Sequence, residues 1–195
     1  MIAYMTKLII KISLALCLLG IVLPASAQKA VLKTNLLYWG TGTANVGVDV
    51  ALNSKSTLGL MAGLQPWEYS DTKKLKHWLV QPEYRYWFCE AFNGHFIGGH
   101  LLGGQFNAGG IKLPFGLFPA LENHRYQGWA AGGGFTYGYH LLLGRRWSME
   151  FALGLGYIYL DYKKYPCATC GTVQKKGHHH YFGPTKAAVN LIYNF

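Results

Sequence analysis

From Trp147 the chain alternates with a period of two. Trp147, Met149, Phe151, Leu153, Leu155, Tyr157 and Tyr159 are large and apolar, and Ser148, Glu150, Ala152, Gly154, Gly156, Ile158 and Leu160 lie between them. Successive side chains of a β-strand point to opposite faces, so this stretch predicts a strand with one greasy face and one small or polar face. Trp129 to Tyr139 repeats the scheme, setting Trp129, Phe135, Tyr137 and Tyr139 against Gly132, Gly134, Thr136 and Gly138. The end of the chain does so again: Val189, Leu191, Tyr193 and Phe195 alternate with Ala188, Asn190, Ile192 and Asn194.

Two stretches without formal charge, Ala91 to Ile111 and Tyr126 to Gly144, have the length of membrane helices. They hold seven and six glycines respectively. Glycine is costly inside helices, and their polar residues form no helical stripe.

A soluble β-sandwich also alternates, so other features must decide. Charged residues are 13% of the chain, about half the usual share for soluble proteins, while aromatics reach 15%. Strands are expected near 31 to 38, 44 to 52, 57 to 65, 78 to 88, 94 to 106, 128 to 140, 147 to 160 and 182 to 195. Several exceed the five or six residues usual in soluble sheets and suit a tilted membrane crossing. Short connections, Asn53 to Ser56, Cys89 to Asn93 and Leu141 to Arg146, alternate with long ones, Pro66 to His77, Asn107 to Gln127 and Asp161 to Tyr181. Only Trp39 to Thr43 is brief on the long side. Aromatics gather near strand ends, as in an interfacial girdle. The expected fold is all-β: an eight-stranded antiparallel transmembrane β-barrel. An open spanning sheet would leave backbone groups unpaired in hydrocarbon at several kcal/mol each. Eight strands enclose an interior that side chains fill, which argues against a wide pore.

The first 27 residues read as a cleavable signal peptide. Lys7 and Lys11 form a short basic region, Leu8 to Leu23 is almost wholly apolar, and Pro24 then leads into Ala25-Ser26-Ala27. A retained helical anchor competes with cleavage, whereas Leu16 before Cys17 disfavours a lipoprotein. Residues 28 to 195 form the barrel domain on this reading. Loss of Lys7 and Lys11 takes the formal charge from +10 to +8. In an exported chain, anionic lipid head groups account for that balance better than nucleic acid does. The expected location is the outer membrane, with both termini periplasmic and the long loops outside.

If the apolar alternates face lipid, Asp49, Glu83, Arg85 and Glu150 point inward as an interior charge network. A structural plug of paired charges is favoured over a polar conduit or catalytic cluster, because an unpaired buried charge is very costly. In the long connections basic residues outnumber acidic ones, so Lys163, Lys164, Lys175 and Lys176 are expected either to contact lipopolysaccharide phosphates or to belong to merely solvated loops. Cys167 and Cys170 form C-x-x-C shortly before His178, His179 and His180. A disulfide, free thiols and a metal site all fit this spacing. Cys89 has no evident partner. No phosphate loop, nucleophile elbow or metalloprotease signature is present, and no cofactor is expected. A lipid A modifying enzyme needs a base near the outer leaflet; His140 points inward at the periplasmic end, and the three-histidine run lies in a loop. A narrow channel is the remaining alternative.

Lys33-Thr34-Asn35-Leu36-Leu37-Tyr38, the run from His77 to Phe88, and Phe92-Asn93-Gly94-His95-Phe96 resemble an uncharacterised outer-membrane family of Bacteroidota, a domain of unknown function. The resemblance spans most of residues 31 to 195 and implies a small outer-membrane barrel, often associated with fimbrial gene clusters. Fimbrial or other surface proteins are thus implied partners, and no catalytic residues carry over. Val189, Leu191, Tyr193 and Phe195 resemble the terminal aromatic signal read by the outer-membrane assembly machinery, a further expected partner.

Overall fold

The computed structural model describes residues 29–70, 73–110, 124–166 and 172–195. The strands are β1 (Ala30–Asn35), β2 (Ala44–Asn53), β3 (Ser56–Gln65), β4 (Glu68–Ser70), β5 (Lys73–Trp87), β6 (Gly94–Gly109), β7 (Arg125–Leu142), β8 (Trp147–Tyr165) and β9 (Lys175–Asn194). One short helix, α1 (Leu36–Gly40), follows β1. Eight of the strands run antiparallel in the order β3-β2-β1-β9-β8-β7-β6-β5, and β3 also pairs with β5, so the sheet closes into a ring. The three-residue β4 is a flap on β5. The expected signal segment, residues 1 to 27, lies outside the described residues.

Strand parity follows the sequence pattern, but the strand limits do not. The first strand stops at Asn35 instead of 38. The Asn35 side chain accepts from the Leu37 amide at 3.1 Å and caps α1, turning Leu36 to Tyr38 from strand into helix. Asn45 then supplies Asn35 with the bonds a neighbouring strand would give, accepting from its amide at 2.6 Å and donating to its carbonyl at 3.0 Å. At the same end of the ring, segments expected in long loops are ladder. β5 begins at Lys73, β7 at Arg125 and β9 at Lys175, while β8 runs on to Tyr165. These residues are polar and break the greasy alternation, yet the hairpins continue through backbone pairing alone. The ring is therefore uneven in height, with six to ten residues in β1 to β3 and 15 to 20 in β5 to β9.

The short-turn end, where both described termini lie, is closed by a buried apolar floor of Val31, Trp87, Phe92, Phe96 and Ile192 with small alanines. Trp87 and Phe96 pack with ring centroids 4.8 Å apart, and the Trp87 indole donates to Thr57 at 3.0 Å. Phe92 reaches this floor from the β5–β6 turn in a left-handed backbone conformation, φ 64°. Such a conformation costs a non-glycine residue roughly 1 kcal/mol or more, offset by burying the ring, which contributes about 1.5–3 kcal/mol. Opposite glycines crease the sheet between β7 and β8. A Cβ on Gly156 would lie 2.1 Å from the Gly133 carbonyl, and one on Gly134 would lie 2.3 Å from that of Leu155, so the strands approach more closely than any side chain allows.

The outward face is apolar. Phe135 is 83% and Leu153 71% exposed. Toward the short-turn end stand Tyr86, Phe88, Tyr139, Trp147 and Tyr193, with Trp147 and Tyr193 in edge contact at 5.2 Å. Toward the long-loop end stand Trp78, Trp129 and Tyr159, with Trp129 and Tyr159 at 5.5 Å. Between these bands the outward residues of the described strands include no Lys, Arg, Asp or Glu. Among the described residues, no helix is long and apolar enough to cross a membrane.

Candidate functional site

Inside the ring the pattern reverses. Arg85 of β5 is fully buried and is the hub of an ionic cluster. Its Nη1 donates to Asp49 Oδ2 of β2 at 2.9 Å and to Glu150 Oε2 of β8 at 2.8 Å. Its Nε donates to Glu83 Oε2 at 2.6 Å. Lys33 Nζ of β1 donates to Asp49 at 2.8 Å, and Lys186 Nζ of β9 to Glu83 at 2.6 Å. Asn190 donates to Glu150 Oε1 at 2.7 Å. Three carboxylates thus face three cations, and the guanidinium fork suits this work because it addresses several carboxylates at once. Arg85 also lies over the Phe96 ring at 4.8 Å, which ties the cluster to the apolar floor.

Asp49, Glu83, Arg85 and Glu150, named from the sequence, are brought together in this cluster. Lys33 and Lys186 were missed, although the signal was present. The four named residues sum to minus two, which demands two further inward cations. Lys186 shares the parity of Ala188 and Asn190, and Lys33 lies within the first expected strand.

Two histidines flank the cluster. His140 is buried with its Nδ1 3.9 Å from Glu150 Oε2, edge-on to Trp87 at 5.7 Å. His100 is held between the hydroxyls of Thr136 at 2.8 Å and Thr185 at 2.9 Å. A space beside the cluster, near Lys33, Glu83 and Lys186, amounts to about 10 Å³, which is about one water's worth of room.

The four lysines expected in the last loop lie in the β8–β9 ladder instead and divide by face. Lys163 is opposite Lys176, and Lys164 is opposite Lys175. Lys163 and Lys176 share the outward parity of Trp147 to Tyr159, whereas the other pair is on the inner parity. His178, His179 and His180 likewise belong to β9 and not to a loop. His178 and His180 project outward beside Tyr159, and His180 Nδ1 is hydrogen-bonded to the Tyr157 hydroxyl. Among the described residues no group of three or more His, Cys, Asp or Glu is placed to hold a metal. Cys167 and Cys170 lie outside the described residues, and Cys89 is an exposed free thiol at a turn. Val189, Leu191 and Tyr193 lie outward on β9, followed by Phe195, 82% exposed and 5.4 Å from the Tyr193 ring.

A family model described as "Protein of unknown function (DUF3575)" matches residues 13–195. No curated protein and no solved structure matches the chain.

Proposed function

We propose that this chain, which belongs to that family of unknown function, is an outer-membrane β-barrel exported by its first 27 residues. It acts without catalysis as a structural, adhesive or accessory component of the cell surface. The observation that carries the reading is the inverted distribution of polarity. Charges are buried inside the ring, while the outward face is uncharged between two aromatic bands. A soluble protein avoids contiguous exposed apolar patches beyond a few hundred Å², and here the whole circumference is one. Trp129 and Tyr139 are ten residues apart on β7 and Trp147 and Tyr159 twelve on β8. At about 3.3 Å per residue and a tilt near 40°, the bands stand roughly 25–30 Å apart in height, the thickness of a hydrocarbon core.

The neutral, space-filling cluster supports a rigid plug over a channel. His100 and its hydrogen-bonded Thr136 are both buried, which disfavours them as an esterase-like pair acting on lipid A. The tall strands β5 to β9 then stand above the membrane on one side and offer the surface that fimbrial or other surface proteins would meet. Both termini face the periplasm, and Val189, Leu191, Tyr193 and Phe195 serve as the assembly signal.

Membrane fractionation with carbonate washing, together with electrophoresis of heated and unheated samples, tests the proposal. The expected outcome is a wash-resistant outer-membrane protein whose unheated form migrates faster. Release as a soluble protein would overturn it. Altered lipid A masses on deleting the gene would favour catalysis, and steady conductance in planar bilayers would favour a channel.

A further inference from the structure

The outward face of β5 to β9 at the long-loop end is ordered in layers along the strand direction. One rung of directly paired residues crosses five strands: Lys76, Asn107, Gln127, Lys163 and Lys176. The next rung toward the membrane holds Trp78, Gln105, Trp129 and Asp161, and the one after it sets Gly103 against Ala131. Residues from the first two rungs line a groove of about 600 Å³. Below the Gly103 rung lies a second groove of about 630 Å³, wholly within the apolar band, between Tyr84, Ile97, Phe135 and Leu153. Between the two grooves the surface is low at the rung of Gly103 and Ala131, where nothing lies within 4 Å of a Cβ built on Gly103, while in the next rung Leu101, 64% exposed, leans over Gly133.

We infer that this face is a docking site for lipopolysaccharide: the cationic and amide rung takes the phosphorylated sugar head, the tryptophans flank it, and an acyl chain lies along the glycine hollow. The inference rests on the outer-membrane barrel reading and names the lipid of that leaflet. Lys163 directly opposite Lys176 is the observation that asks for an anion. Like charges in opposed positions destabilise a hairpin, and a phosphate between them removes the penalty. Asp161 of the second rung is in register with His178 and shares the face of both lysines; it offsets one of the three charges of Lys76, Lys163 and Lys176, and the two rungs together remain cationic. Lys164 and Lys175 carry the same charge at the same height on the other face, and they provide the internal control.

The test uses the full chain in phosphatidylcholine nanodiscs, titrated with purified rough lipopolysaccharide or with phosphatidylglycerol of equal charge, and read by native mass spectrometry. The wild type is expected to retain lipopolysaccharide in preference to phosphatidylglycerol. Lys176→Glu turns the like-charged pair into an opposite one, so its thermal midpoint should hold or rise while lipopolysaccharide retention falls roughly tenfold. That combination excludes misfolding as the cause of lost binding. Gly103→Leu adds a side chain where nothing lies within 4 Å, and it should also reduce retention by filling the hollow. Lys175→Glu should retain within twofold of wild type.

Equal retention by Lys176→Glu and wild type would overturn the inference. So would equal losses for Lys176→Glu and Lys175→Glu, equal retention of phosphatidylglycerol, or a dimer mass showing a second copy on this face. Those outcomes leave the barrel reading standing, whereas a chain that does not enter the bilayer removes both.

Discussion

Glu150 and Leu153 are three residues apart on β8, one fully buried and the other 71% exposed. The comparison extends around the ring: the inward face holds charges in contact with one another, and the outward face holds apolar groups that no second layer of the described residues covers. In a soluble protein the two would exchange places. The difference teaches that the polarity of this sheet is inverted: a packed interior neutralises its own charges, and the apolar exterior fits the membrane setting proposed above.

The largest effect should come from breaking the inward face at its hub. Arg85→Leu strands Asp49, Glu83 and Glu150 with two lysines, and removing one partner of a buried ionic set costs about 3–5 kcal/mol. Urea unfolding in lipid vesicles measures this; a loss under 1 kcal/mol would mean that water reaches the cluster. Breaking the outward face should come next. Leu153→Arg puts a charge midway between the aromatic bands, where it costs about 2–4 kcal/mol in a bilayer. The same substitution at a water-exposed site would be nearly neutral, so this variant tells a bilayer-facing exterior from a water-facing one.

Phe92→Gly sharpens the comparison at the floor. It relieves the left-handed conformation but gives up the buried ring, and the net loss should be about 1–2 kcal/mol by the same unfolding assay. Smallest in stability should be Phe195→Asp, within roughly 0.5 kcal/mol once folded, because the residue lies exposed at the chain end. Its effect should be on yield: the fraction inserted in the outer membrane is expected to fall, as it should on adding residues after Phe195. Normal insertion of both would detach the terminal aromatic from assembly.

The two faces were legible in the sequence because strand parity has a period of two, even though Ile158, Leu160 and Ile192 put large apolar residues on the inner parity. Asp49, Glu83, Arg85 and Glu150 could be found as charges in greasy strands, and Lys186 by the same rule. The strand ends were not legible at the long-loop side. There both faces of a strand are polar, as in Tyr162 to Lys164 and Lys175 to His178, so backbone pairing persists with no alternation to report it. The end of β1 was hidden for another reason. Leu36, Leu37 and Tyr38 continue an apolar run, and only the Asn35 cap and its exchange with Asn45 turn the backbone away.

The ionic cluster also acts as a register check for ring closure. Its members come from β1, β2, β5, β8 and β9, and Arg85 joins a carboxylate from 36 residues before it to one from 65 residues after it. Some pairs form locally, Lys33 with Asp49 across β1 and β2, Arg85 with Glu83 on β5 and Asn190 with Glu150 across β8 and β9, but Arg85 meets Glu150, and Lys186 meets Glu83, only across the closed ring. A slip of one residue in β9 would turn Lys186 and Asn190 to the apolar outward face and leave Glu83 and Glu150 short of donors. A misaligned ring is therefore penalised on both faces at once, and the cluster favours the one alignment in which the described strands close.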